Sequence, residues 1–352
     1  MKTKIMTFKK AIPAALILAG SVGFASNASA SAYAISYDNI FGLQVTSSDS
    51  DGNNGPFFVP PTAFTAFNAT SEVQASQGPL GVPVFGVGGS ISNGGPVDMP
   101  VAIATGSDFT GLTAPTNNSF TQVGQGGNPA YAYADAQISR TTLAQIPNGP
   151  VVINDAETQA WNIAEGFVAS SGFAAASTRN SSETGFTTTF ELGGDAIFNF
   201  DFNADPYLEV AISNDAGSPS TANAELNVII TITDDNGGTV FSWSPDGQAG
   251  GIAGGTENLD PFSLNESIEV SSAGAALSIG NAPTGNISPA LFGMFSASTD
   301  VLSAGTYTIS LDMSSLINVT TSAAQAVPNP GVLGLMGLGL AGLGFSRRRK
   351  AS

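Results

Sequence analysis

Residues 186–203 read FTTTFELGGDAIFNFDFN, and their spacing decides the fold. Phe198, Phe200 and Phe202 alternate with Asn199, Asp201 and Asn203, which sets three rings on one side of an extended strand. Phe186, Thr188, Phe190 and Leu192 alternate in the same way with Thr187, Thr189 and Glu191. Working outward, Leu208, Val210 and Ile212 repeat the period, as do Leu226, Val228, Ile230 and Ile232. Near the end, Tyr307, Ile309, Leu311 and Met313 alternate with Thr306, Thr308, Ser310 and Asp312. Asp234-Asp235-Asn236-Gly237-Gly238 supplies positive-φ residues for a hairpin between Ile232 and Val240. Strands with one apolar and one polar face suit two antiparallel sheets packed on each other. The expected fold is all-β: an antiparallel β-sandwich, jelly-roll-like.

Upstream the signal weakens. Residues 31–130 are rich in Gly, Pro, Asn, Ser and Phe and read as loop-rich, with few clear strands; residues 131–326 read as strand-rich. GPLGVPVFGVGG (residues 78–89) holds too much Gly and Pro for a central strand. In residues 131–138, Ala132, Ala134 and Ala136 alternate with Tyr131, Tyr133 and Asp135, which suits a strand facing something closely packed. Residues 155–170 admit two readings. Asn154 and Glu157 have capping-box spacing, with Ala160, Ile163, Ala164 and Phe167 on one helical face. Small residues at Ala156, Ala160 and Ala164 fit a strand nearly as well, and strand is favoured because everything downstream is β.

Charge is distributed unevenly. The chain has 10 Lys+Arg, 27 Asp+Glu and no His or Cys. Eight of the basic residues lie in the two ends, so residues 31–326 keep only Arg140 and Arg179 against all the acids. Such a surface repels nucleic acid, whose binding rests on Lys and Arg at phosphates. Without Cys there is no disulfide, and about 300 residues must bury a core of their own. The absence of His and Cys excludes a Ser-His-Asp triad, a Cys nucleophile and His-based zinc or haem sites. Carboxylate chemistry and oxygen-ligand cation binding remain, with calcium the natural counter-ion and no other cofactor expected.

Candidate sites follow from that restriction. Asp49, Asp51 and Asn53 occupy the first, third and fifth places of a calcium-loop spacing, but Asn54 replaces the sixth-place glycine and Pro60 the closing glutamate. A polar turn accounts for them. Asp234 and Asp235 can hold a cation at a hairpin tip, although turn chemistry alone explains them. Asp201, Asp205 and Glu209 can be cast as a glycosidase carboxylate pair, with solvated outward faces as the simpler account. Trp161, Trp243, Tyr131, Tyr133 and Tyr207 suggest either a sugar-stacking platform or ordinary core packing. Asn-x-Ser/Thr sequons stand at Asn68, Asn117, Asn180, Asn265, Asn286 and Asn318.

Both ends read as addresses. Residues 1–30 have a basic start, an apolar stretch from Ala11 to Ala19, and Ala28-Ser29-Ala30 as a cleavage site, so the exported chain is expected to begin at Ser31. At the other end, VPNPGVLGLMGLGLAGLGFSRRRKAS (residues 327–352) joins a proline turn, an apolar run from Gly331 to Phe345 and a basic stop. As helix that run spans about 22 Å, short of a bilayer core of roughly 30 Å. Arg347, Arg348 and Arg349 set its orientation, cytoplasmic end last. Val327, Pro328 and Pro330, the Gly-Leu run and the arginines resemble the PEP-CTERM sorting signal of Gram-negative bacteria, with Asn329 where a glutamate usually sits. That resemblance implies transient anchoring in the inner membrane and processing by an exosortase; the alternative is a simple C-terminal membrane anchor. It also implies association with exopolysaccharide production.

The whole reads as a signal peptide (1–30), an acidic ectodomain (31–326) and a sorting tail (327–352). The function expected is that of an exported, non-enzymatic surface or matrix protein whose partner is extracellular polysaccharide. A calcium-dependent carbohydrate-binding module and a carboxylate-based glycan hydrolase are the alternatives.

Overall fold

The computed structural model describes residues 29–49, 58–59, 66–77, 82–93, 97–98, 102–104, 120–124, 131–139, 153–154, 159–171, 175–214, 216–280 and 293–323. The first part supplies β1 (Ser29–Asp49), β2 (Phe58–Val59), β3 (Ala66–Gln77), β4 (Val82–Asn93), β5 (Val97–Asp98) and β6 (Ala102–Ala104). Then come β7 (Tyr131–Ser139), β8 (Ile153–Asn154), β9 (Gln159–Ser171), β10 (Ala175–Leu192), β11 (Ala196–Ala204) and β12 (Tyr207–Ile212). They are followed by β13 (Ala216–Asp234), β14 (Thr239–Trp243), β15 (Ile252–Ala253), β16 (Gly255–Leu259) and β17 (Glu266–Val270). The last are β18 (Ala276–Gly280), β19 (Gly293–Thr299) and β20 (Gly305–Ala323).

Among the described residues these strands form two antiparallel sheets and no helix, a sandwich-like architecture. No helix among them is long and apolar enough to cross a membrane. The first sheet runs β16-β19-β11-β1-β9-β7-β5, with β12 and β18 continuing beside β1. The second runs β15-β14-β13-β20-β10-β3-β4, with β17 on β13. β11 and β12 serve as one long partner of β1: Phe41 faces Asn203, Ile40 faces Ala204 and Tyr37 faces Tyr207, and the Asp205 N–H donates to Asn39 O between them (3.0 Å). A bulge between Phe41 and Gln44 interrupts β1, where Gly42 takes φ 65°, a conformation open to glycine.

The quoted rings meet in the core between the sheets. Phe202 stacks on Phe295 (5.1 Å), Phe200 on Phe241 (5.2 Å), and Phe198 tilts against Phe190 (4.9 Å). Trp243 shares that core and is fully buried. Burying a side chain of this size contributes about 1.5–3 kcal/mol. Beside the rings, Ala32, Ala34, Ala136, Ala160 and Ala164 form a small-residue surface, and β9 approaches β10 and β20 to within 8 Å between Cα atoms. The alanine alternation therefore marks close sheet-to-sheet approach, as its spacing suggests.

Residues 159–171 are strand, which resolves the ambiguity over 155–170. Ala160, Ala164 and Val168 face the inter-sheet core, whereas Ile163 and Phe167 belong to a second apolar cluster on the opposite face. A helix would have kept Ala160, Ile163, Ala164 and Phe167 together; the period of two separates them. The first part of the chain holds more strand than its composition suggests. β1 alternates Tyr33, Ile35 and Tyr37 with Ala32, Ala34 and Ser36, and all six are buried. A strand covered on both faces carries no polar alternation, so periodicity passes over it. The Gly- and Pro-rich β4 ends the second sheet.

Candidate functional site

Register places a compact polar and aromatic field on the outer face of the first sheet. Across β7, β9, β1 and β12 its rows are Tyr131–Phe167–Tyr33–Ala211 and Tyr133–Glu165–Ile35–Glu209. The next row is Asp135–Ile163–Tyr37–Tyr207. A further row begins Gln137–Trp161–Asn39 and reaches Asp205 through the backbone bond to Asn39. Outward faces normally meet water, yet Tyr33, Tyr131, Tyr133, Asp135 and Glu165 are fully buried.

Residues 120–124 account for part of that cover. The Phe120 ring stacks on Trp161 (5.5 Å), and Phe120 holds φ 41°, an uncommon conformation for a bulky side chain. Three residues further on, the backbone N–H groups of Val123 and Gly124 donate to Glu165 Oε2 (2.9 Å) and Oε1 (2.7 Å). Tyr33 and Tyr131 each donate a hydroxyl to Oε1 at 2.7 Å. Gln122 Nε2 donates to Tyr33 Oη and to Glu209 Oε2, both at 2.9 Å, and Tyr207 donates to the same Glu209 oxygen (2.7 Å). One covering segment is thus tied to four strands, β1, β7, β9 and β12, by bonds that centre on two carboxylates.

Burial pushes the Glu165 carboxyl above the usual range, and its four donated hydrogen bonds pull the other way. Hydrogen bonds from Val123, Gly124, Tyr33 and Tyr131 hold this carboxyl in place. Burial and the nearby Glu165 push the Tyr33 and Tyr131 hydroxyls upward, so they remain protonated donors. The arrangement can pin a loop. Glu165 lies fully buried beneath it.

A further buried acid lies on the inner face. Asp38 is opposite Asn162 and 1% exposed, and neither of its oxygens has a partner at bonding distance. Burial raises its carboxyl to about 7; the Asn39 backbone opposes this, and Asp205 adds to it.

The residues singled out by sequence separate accordingly. Tyr131, Tyr133, Tyr207 and Trp161 belong to the covered cluster and Trp243 to the inter-sheet core, so these rings do not form an exposed stacking platform. Trp243 Nε1 donates to Glu257 (2.8 Å). Of the carboxylates Asp201, Asp205 and Glu209, only Glu209 joins the Glu165 network; Asp201 lies on β11 and Asp205 in the turn before β12. Asp234 Oδ1 accepts the N–H groups of Asn236 (3.0 Å) and Gly238 (2.7 Å), and Asp235 accepts from the Asn236 amide (2.9 Å). That is turn chemistry. Asp49 ends β1, and Asp51 and Asn53 lie outside the described residues. So do Ala28, Val327, Pro328, Asn329, Pro330 and the arginines; Ala30 and Ser31 lie at the start of β1. The Asn265 amide bonds Val228 and Pro245, which ties that sequon into the fold. Sequence reasoning missed Glu165, Tyr33, Gln122 and Asp38. An acid inside the apolar run AWNIAEGFV was the available signal for Glu165.

Residues 326–350 match the PEP-CTERM protein-sorting motif. The chain carries that motif at its C-terminus, which marks it as an exported protein sorted by an exosortase to the cell envelope or surface. No curated protein matches the chain. Among solved structures, T=1 particles derived from infectious bursal virus align at 13% identity over 90% of this chain and 85% of that one, with a TM-score of 0.10. T=1 particles of the D431N mutant VP2 protein of infectious bursal disease virus align at 12% over 97% and 91%, also at 0.10. At that score neither likeness bears on fold or function.

Proposed function

We propose that this is a non-enzymatic surface or matrix protein that works in the extracellular polysaccharide layer. Its signal peptide leaves at Ala30, and an exosortase removes the tail after transient anchoring in the inner membrane. The observation that carries the reading is the outer, polar face of the second sheet, exposed at Thr189 and half-buried at Thr187, Thr231, Thr233, Thr308 and Ser310. Across β13, β20 and β10 it presents the rows Thr231–Ser310–Thr187 and Thr233–Thr308–Thr189. Hydroxyls pair along it, Thr189 with Thr308 (3.0 Å) and Thr221 with Thr320 (2.8 Å). Strands about 4.8 Å apart, with outward positions repeating about every 6.8 Å, give a flat array of donors and acceptors. Such an array suits a hydrated, neutral glycan better than an anionic one. Deleting the gene is expected to change cell aggregation, biofilm and matrix composition; unchanged values in all three overturn the reading.

Calcium-dependent glycan binding has its own support. On the same face a cavity of ≈ 180 Å³ is lined by Glu183, Thr184, Asn227, Asp312, Met313 and Ser314; its two carboxylates, amide and hydroxyls offer oxygens of the kind calcium takes, although among the described residues no three acids cluster. Burial raises the Asp312 carboxyl, and a cation bound there would pull it back down. Calorimetry with calcium and then with host polysaccharide tests this; no heat in either titration removes it.

A further inference from the structure

We propose that β18 is a self-association edge through which two copies of this protein join their first sheets. Among the described residues β18 pairs with β12 alone, and all five of its residues are exposed. Leu277 and Ile279 face Val210 and Leu208 in register, and those two belong to the inter-sheet core. The core face therefore runs one strand beyond its cover, leaving Leu277 49% and Ile279 43% exposed.

Exposed edges are usually guarded by charge, proline or bulges, because free N–H and C=O groups recruit further strands. The comparable short strands follow that rule: β16 carries Glu257, and β17 carries Glu266 and Glu269. β18 reads ALSIG, and no residue from Val270 to Thr299 is charged. In a chain with 27 acidic residues, most other surfaces repel an identical copy. This edge does not.

The sequence of β18 also complements itself. In an antiparallel pair centred on Ser278, Leu277 lies opposite the partner's Ile279, and Ile279 opposite the partner's Leu277. One two-fold axis then satisfies both copies and covers both exposed side chains, as an isologous contact requires. Five residues span only about 17 Å, so the interface is small and its dissociation constant falls between about 10 µM and 1 mM. Crowding on a surface or in a matrix would bring copies into that range.

Two measurements on the purified chain test the proposal. Sedimentation velocity is expected to show a concentration-dependent dimer, lost in the Leu277→Glu, Ile279→Glu double variant. Near-ultraviolet circular dichroism establishes that the variant is folded. Because the chain has no cysteine, Ser278→Cys supplies a single thiol that sits opposite itself across the axis. It is expected to oxidise to a disulfide-linked dimer, whereas Ser272→Cys remains monomeric. A wild type that stays monomeric throughout overturns the proposal. So does a dimer that persists in the folded double variant, or equal cross-linking at both cysteine positions.

Discussion

Replacing Asp38 by asparagine is expected to stabilise the protein progressively as pH rises. Burial lifts the Asp38 carboxyl from 3.8 to about 7 in the folded state. A carboxyl raised on folding contributes stability fully below its unfolded pKa and loses it as pH climbs through the folded value. The loss accumulates over about three units, each near 1.4 kcal/mol, and between pH 5 and pH 8 it amounts to about 2–3 kcal/mol. Asparagine carries no charge at either pH and has nearly the same shape, so Asp38→Asn removes this slope. The assay is urea unfolding of wild type and variant at pH 5, 6, 7 and 8. The measured quantity is the difference in stability between the two proteins, because other raised carboxyls, Glu165 and Asp260 among them, cancel in it. A difference that stays constant within about 0.5 kcal/mol from pH 5 to pH 8 refutes the argument. It would mean that a partner or buried water solvates Asp38 well enough to keep it ordinary.

Glu165→Gln sets an amide N–H₂ against donors, since Val123, Gly124, Tyr33 and Tyr131 all donate to this side chain. A cost of about 2–3 kcal/mol is expected, with faster proteolysis near residues 120–124; unchanged proteolysis would show that the segment is held by other contacts. Phe120→Ala removes a 4% exposed ring stacked on Trp161 and is expected to cost about 3 kcal/mol, read by thermal unfolding and a shift in tryptophan emission. Gly254→Ala drives a Cβ into the Val240 carbonyl at φ +71°, so a loss above about 2 kcal/mol is expected by urea unfolding. The protein recovered from its own bacterium is expected to have an intact mass matching Ser31 to a C-terminus near Pro328, plus sugar increments. A mass that retains the tail would indicate that Asn329 blocks processing.

The legible part of the fold was the part with one wet face. From Thr184 to Val319 the alternation marks which residues share a side, and Phe198, Phe200 and Phe202 do lie together in the core. β1 escaped notice because Tyr33, Ile35 and Tyr37 are buried as thoroughly as Ala32 and Ala34. The candidate site was legible only in fragments. Glu209 and the tyrosines drew attention by type, but Glu165 and Gln122 did not, because their partners lie 34 to 132 positions away in the chain.

By itself the sequence determined the C-terminal sorting motif, the exclusion of histidine and cysteine chemistry, and the faces of the later strands. These follow from local order and composition, which the chain carries at every stage of folding. Only the tertiary structure decided what lies over each face: a second sheet, the 120–124 segment, water, or, as at β18, no other described residue. Periodicity fixes which side chains point the same way. What they meet there depends on pairing between distant strands, and that covering turned an outward glutamate into a buried pin and left Leu277 and Ile279 at an open edge.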